Sequence, residues 1–235
     1  MVLVSTRNPL NIGAAARAMS NFGVCHLRVV NPYEPAFREA RSAVGAAGLL
    51  KKAEHYDSVA EAIADCTLVI GTSAVHNRDP EQLVRPLQEG ARLIRKRLTS
   101  SRVAILFGSE KFGLSKRDLD HCHWLMRVPT REQHPSMNLG QAVAVCMYEL
   151  ARAGKPARRA QKDAYAKSSD LERITSLLFE VLGASDYIKP GSVPVIEEKM
   201  RRMVRRMQLS EHDATLWLGI LRQIGWKLGS RGPRK

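Results

Sequence analysis

The chain has 235 residues, 44% of them hydrophobic, enough for a domain of about 150 residues with a smaller companion and too apolar for a disordered chain. With 37 Lys/Arg against 23 Asp/Glu its net charge is +14, which points to a polyanionic partner: RNA, DNA or an anionic membrane. No apolar run approaches the roughly 18–20 residues of a membrane span, and the first residues lack the basic segment and long apolar core of a secretory signal, so a soluble cytoplasmic protein with no membrane partner is expected.

Val2–Ser5 reads as a first strand. A helix follows from about Asn11, a good N-cap residue, to Phe22, with Gly23 where a C-cap glycine belongs. His26–Val30 reads as a second strand ended by Asn31-Pro32, and Val44–Ala53 as a glycine-interrupted helix. Ser58 caps a helix of about seven residues. Leu68–Gly71 is a buried strand ending in Thr72-Ser73-Ala74, Pro86–Leu98 a helix, and Val103–Phe107 a buried strand ended by Gly108. Ser115 caps a short helix whose third position, Asp118, completes a capping box. Trp124–Val128 is a strand ended by Pro129, and Asn138–Arg152 a long apolar helix. Strands alternating with helices predict an α/β fold, a parallel sheet with helices on both faces. Ligands of such sheets sit at the carboxyl ends of the strands. Here the polar and glycine segments Thr72–Ala74, Gly108–Glu110 and the stretch from Pro129 all follow strands.

From about Ala153 to Lys167 the composition turns basic and polar and reads as a linker. Residues 168–235 then read as a small all-α bundle. Ser169–Leu182 aligns Leu171, Ile174, Leu178 and Val181; Val195–Met207 aligns Ile196, Met200, Met203 and Met207, with Arg201, Arg202, Arg205 and Arg206 beside them; Ser210–Leu228 carries Leu218, Leu221 and Trp226. The tail SRGPRK is expected to fray. Residues 1–150 carry a net charge of +5 and residues 151–235 a net of +9, so the shorter part is the more basic. The four arginines are the candidate phosphate grip, although a charge run is most often a solvated helix face. Of the cysteines, Cys25, Cys66, Cys122 and Cys146, most sit in or beside apolar runs and none forms a CxxC pair. His121-Cys122-His123 are adjacent and cannot wrap one tetrahedral ion, so no metal is expected.

Three segments carry chemistry. Asn8–Met19 (NPLNIGAAARAM) opens a helix of minimal bulk around Gly13, which lets backbone or ligand approach closely, and Arg17 is the one large polar group on that turn. In Leu106–Leu114 (LFGSEKFGL), Gly108 and Gly113 permit a tight turn around Glu110; Leu114 rather than Lys follows Gly113, so this is no P-loop, and the chain has no GxGxxG. Val128-Pro-Thr leads to Ser136-Met-Asn-Leu-Gly140, where Ser136 and Asn138 precede a helix start whose free N–H groups can hold a polar ligand. Singly, these read as a solvated arginine, a polar turn and a simple cap. Together and in this order, they resemble the three motifs of the SpoU family of SPOUT methyltransferases, most closely its TrmJ-like branch, over residues 1–152. The extension is similar to TrmJ-type tails at Asp170-Leu-Glu-Arg and at Leu218–Arg222.

The resemblance implies a parallel sheet whose C-terminal stretch threads a trefoil knot, a methyltransferase domain at 1–152, and a helical RNA-binding extension at 168–235. It implies S-adenosylmethionine-dependent 2′-O-methylation of tRNA at anticodon-loop cytidine or uridine 32, by a homodimer whose site lies near the interface. It puts Arg17 on the catalytic position, with Asn11, Glu110 and Ser136 orienting it. The cofactor pocket falls to Thr72, Ser73 and Ala74, to Gly108 and Gly113, to Val128 and Pro129, and to Ser136, Met137, Asn138 and Leu139. The polar stretch Thr130–Pro135 becomes a loop over the substrate, with His134 a plain loop residue. Methyl transfer from a sulfonium to an alcohol is an in-line displacement with a neutral leaving group, so it needs no metal. The enzyme's tasks are to align oxygen, methyl and sulfur and to stabilise charge growing on oxygen. Guanidinium groups stay protonated near neutral pH, so Arg17 is expected to polarise the 2′-OH and grip the adjacent phosphate rather than act as a base. The alternatives are an rRNA 2′-O-methyltransferase and a non-catalytic RNA-binding or ribosome-assembly module.

Overall fold

The computed structural model describes residues 1–40, 47–74, 82–152, 164–188 and 193–229. Its strands are β1 (Val2–Val4), β2 (Arg28–Val30), β3 (Glu54–Tyr56), β4 (Leu68–Thr72), β5 (Val84–Pro86), β6 (Val103–Phe107) and β7 (Trp124–Arg127). They form one sheet in the order β3-β2-β1-β6-β4-β7-β5, parallel at every pairing. The central strands are apolar along their whole length because both faces are covered, as the runs Leu68-Val69-Ile70 and Val103–Phe107 require.

The helices are α1 (Pro9–Asn21), α2 (Glu34–Ala40), α3 (Ala47–Lys51), α4 (Val59–Ala62), α5 (Leu87–Leu98), α6 (Lys116–Asp120) and α7 (Leu139–Ala151), then α8 (Ser168–Ala184), α9 (Val193–Arg206) and α10 (Glu211–Gly229). One apolar cluster joins α1, α5 and α7 to a sheet face through Ile12, Met19, Phe107, Met126 and Val143. A second joins α4 and α6 to the opposite face through Val59, Ile63, Leu119 and Leu125. The capping box at Ser115 and Asp118 forms as the sequence predicts. The α1 cap is Asn8, not Asn11: the Asn8 side chain accepts from the N–H groups of Leu10 and Asn11, and Pro9 takes the first helical position. The edge strands β3 and β5 and the helix α2 add elements that apolar patterning does not mark. The start of the helix expected at Val44–Ala53 lies outside the described residues, as do most of the expected linker and the SRGPRK tail.

The last three helices enclose their own apolar cluster, with Leu171, Ile174, Val204, Ala214, Leu218 and Leu221 at its centre. They are joined to the sheet unit by polar contacts that the sequence does not announce. Ser168 donates from its backbone and its hydroxyl to Cys66 O, both at 2.8 Å. Arg202, 4% exposed, places Nη1 2.7 Å from Oδ1 of Asp120, 1% exposed. Arg205, 1% exposed, donates to Ser168 Oγ at 2.8 Å and to Glu172 at 2.6 Å, while Arg201 reaches the same carboxylate at 3.1 Å. Burial opposes ionisation of Glu172, but the hydrogen bond with His121 and the charges of Arg205 and Arg201 hold its carboxyl well below the usual range.

This corrects the expectation that Arg201, Arg202, Arg205 and Arg206 form one RNA grip. Arg202 and Arg205 are buried in ion pairs and Arg201 is half-buried in its own; of the four, only Arg206 is exposed. The apolar face expected on α9 holds only in part: Met200 is buried and Ile196 half-buried. Met203 and Met207 face solvent, because the carboxylates of Asp120 and Glu172 draw the arginines inward.

Candidate active site

The end of β4 and the second and third motif segments meet at the carboxyl ends of β4, β6 and β7 around a cavity of about 360 Å³, to whose wall the first segment, Asn8–Met19, contributes no residue. Thr72, Ser73 and Ala74 enter its wall from β4, where Thr72 Oγ1 donates to Leu106 O at 2.8 Å and Ser73 N–H to Met126 O at 3.1 Å. These two bonds tie the end of β4 to both neighbouring strands. From β6 comes a turn closed by Ser109 and Gly113, each donating its N–H to the other's carbonyl. Gly113 adopts φ +68°, and a Cβ on Gly108 would lie 2.0 Å from Gly113 C and 2.1 Å from Leu114 N, so the turn tolerates only glycine at its base. Beyond β7, Val128, Ser136, Met137 and Leu139 complete the wall. Thr130 Oγ1 donates to Pro135 O at 3.1 Å and fastens the intervening polar loop, on which His134 is exposed and away from the cavity wall. Cys146 forms part of the apolar floor, where burial pushes its thiol up to about 12.

Two residues expected in the pocket are elsewhere. Pro129 is exposed and outside the wall. Asn138 is the α7 cap, its Oδ1 accepting from the N–H groups of Gly140 and Gln141. Its role is that of a fastener: Asn138 Nδ2 donates to Asn11 Oδ1 at 2.7 Å, and Asn11 Nδ2 donates to Glu110 Oε1 at 3.3 Å. Glu110 also accepts from the backbone N–H groups of Arg7 and Asn8 at 3.2 and 3.1 Å. Asn11, Glu110 and Asn138 thus tie the first, second and third segments together. Between them, α1 crosses α7 so closely that a Cβ on Gly140 would stand 2.6 Å from that of Ala14. The small side chain of Ala14 and the bare backbone of Gly140 permit this crossing.

Arg17 sits on the exposed side of α1 and is not part of the cavity wall, while its neighbours Ala15, Ala16, Ala18 and Met19 are buried. The reading of strand ends overlooked the apolar floor, which includes Leu114, Met126 and Leu139's neighbour Ala142. The signal was present in part: Met126 lies two residues before Val128 and so on the same face of β7. The residues of the His-Cys-His run face different surroundings. His121 Nδ1 lies 3.2 Å from Glu172, Cys122 is buried, and His123 Nδ1 accepts from Val69 N–H at 3.1 Å.

A sequence profile described as the SpoU rRNA Methylase family matches residues 1–148. The tRNA (cytidine/uridine-2'-O-)-methyltransferase TrmJ of Sodalis glossinidius (strain morsitans) is 31% identical over 230 residues, covering 95% of this chain and 90% of the relative. The enzyme of the same description from Photorhabdus laumondii is 33% identical over 230 residues, covering 95% of each. The crystal structure of TrmJ from Z. mobilis ZM4 superposes with a TM-score of 0.82 at 30% identity, covering 95% of this chain and 97% of that one. The profile match embraces every segment that builds the cavity, and the chain belongs to the SpoU rRNA Methylase family.

Proposed function

We propose that the chain is an S-adenosylmethionine-dependent tRNA 2′-O-methyltransferase acting in the cytoplasm on the ribose of anticodon-loop nucleotide 32, a cytidine or uridine. The observation that carries this reading is the convergence of three distant segments on one cavity, fastened through Glu110 and Asn11 to the helix that bears Arg17. The cavity fits the cofactor class. Its volume of about 360 Å³ lies within the range of small-molecule sites, and its apolar floor with a main-chain rim suits a flat heterocycle with a polar edge. When bound, S-adenosylmethionine supplies a methyl group on a sulfonium. Leu114, Met126, Val128 and Leu139 would flank its rings, and the main chain around Gly108, Ser136 and Met137 would meet its polar groups.

The chain's own task is the acceptor. Arg17 polarises the ribose 2′-OH, stabilises negative charge as it grows on oxygen and grips the adjacent phosphate. Glu110 and Asn11 fix the start of its helix, and Ser136 lines the cavity. Because Arg17 lies on the outer side of α1, we place the reaction at the boundary of a homodimer. Residues 1–152 form the catalytic part. The helical extension, 168–235, contributes to holding the RNA through Arg206 and its remaining surface cations rather than through the buried arginines.

The test is incubation of the protein with radiolabelled S-adenosylmethionine and separated tRNA and rRNA, followed by mapping of the labelled nucleotide and sizing in solution. Label on a ribose of the anticodon loop, from a species twice the chain mass, is expected. Label on rRNA alone, or none, would overturn the reading.

A further inference from the structure

Glu110 draws the β1–α1 turn against the β6 turn, and on each side of this tie stands an exposed aromatic ring with a cation beside it. Phe112, 69% exposed, forms part of the cavity wall, and Lys111 Nζ lies 5.1 Å from its ring centroid. Tyr33, 51% exposed, lies beyond the end of β2, where its N–H donates to Thr6 O; Arg7 Cζ is 5.9 Å from its ring centroid. Both pairs are therefore on the rim at the carboxyl ends of β1, β2 and β6, next to the cavity. Folding leaves unclaimed the stabilisation that burial of each ring would bring. Exposed rings with cations beside them match the surface that holds single-stranded nucleic acid: rings stack bases and cations meet the backbone. A duplex offers the backbone but no free base faces, since its bases are already stacked on one another.

We infer that Arg7, Tyr33, Lys111 and Phe112 form a stacking rim for unpaired nucleobases on either side of the methylated ribose, so that the acceptor is taken as a splayed single-stranded loop. The inference deepens the proposed RNA 2′-O-methylation and rests on that reading for its occupant. Each aromatic stacks one base, and the two cations neutralise the phosphates between them. The spread from Phe112 at the cavity to Tyr33 across the Glu110 tie sets which loop nucleotides are engaged.

The test measures binding rather than turnover, with the full chain and fluorescein-labelled RNA by anisotropy. The probes are a single-stranded oligonucleotide of the anticodon-loop sequence and a blunt duplex of the same length. Tyr33→Leu and Phe112→Leu keep an apolar group but remove the π face; each is expected to weaken single-strand binding about tenfold while leaving duplex binding unchanged. Tyr33→Phe and Phe112→Trp restore it, and the introduced tryptophan is quenched when the single strand is added. Tyr33 lies outside the cavity wall, so a change in cofactor affinity cannot account for its effect. Leucine variants that bind the single strand as tightly as the natural chain, or a loss equal for single strand and duplex, would overturn the inference. A chain that bound single strands in this way but methylated no tRNA would sink the proposed function and leave the rim intact.

Discussion

Replacing Arg202 with alanine tests whether the helical extension is held to the sheet unit by a buried charge. Asp120 Oδ1 has the Arg202 guanidinium 2.7 Å away, and Asp120 Oδ2 is buried with no hydrogen-bond partner among the described residues. Burial pushes the Asp120 carboxyl above its usual range, and the hydrogen bond and charge of Arg202 pull it back. Without Arg202, the carboxylate escapes isolation by taking up a proton. At about 1.36 kcal/mol per pH unit above the ordinary carboxyl value of 3.8, that costs about 4 kcal/mol at pH 7 and about 1.5 kcal/mol at pH 5. The first figure agrees with the roughly 3–5 kcal/mol lost when one partner leaves a buried pair. Urea unfolding of Arg202→Ala at the two pH values should therefore show a large loss at pH 7 that shrinks by about 1.4 kcal/mol for each unit of acidification. Replacing Asp120 and Arg202 together by leucine should recover stability to within about 1 kcal/mol of the natural chain. A loss below about 1 kcal/mol at pH 7, or one indifferent to pH, would refute the reasoning.

Arg17→Ala should lower single-turnover methylation about 10²- to 10³-fold at saturating RNA, with cofactor affinity by calorimetry unchanged because Arg17 is outside the cavity wall; an undiminished rate would remove Arg17 from the chemistry. Gly108→Ala forces a Cβ to within 2.0 Å of backbone that cannot yield, so S-adenosylmethionine affinity should drop more than about tenfold and the melting temperature should fall; a tight calorimetric isotherm would contradict this. Burial lowers His123 to about 3, so the unfolded chain takes up its proton first, near pH 6.5. The stability this neutral ring contributes is present above about 6.5 and is lost on acidification toward about 3, at up to about 1.4 kcal/mol per unit. His123→Gln should flatten that part of the stability profile, and identical profiles would exclude it.

The central strands and the long helices are legible in the sequence because apolar runs flanked by glycine or caps admit few other readings. The edge strands are not. Glu54-His55-Tyr56 and Val84-Arg85-Pro86 are three residues each, too short to show a period, and pair along a neighbouring strand. Periodicity could place the pocket segments at strand ends, since the chain marks those ends with Gly108, Thr72 and Pro129. It could not tell wall from fastener, and the resemblance gave Asn138 to the ligand, whereas its amide bridges Asn11 and the α7 backbone. The arginines of α9 mislead for a related reason. A helical pattern sees only its own residues, and what buries Arg202 is a carboxylate 82 positions earlier.

The Glu110–Asn11–Asn138 chain of hydrogen bonds has a thermodynamic corollary. It fastens the helix start that precedes Arg17 to the helix start that borders the cavity, so acceptor and donor sites share one clasp. Free energy that either ligand contributes to keeping the clasp shut is no longer required of the other. The two affinities then rise together and by the same factor, whichever ligand arrives first.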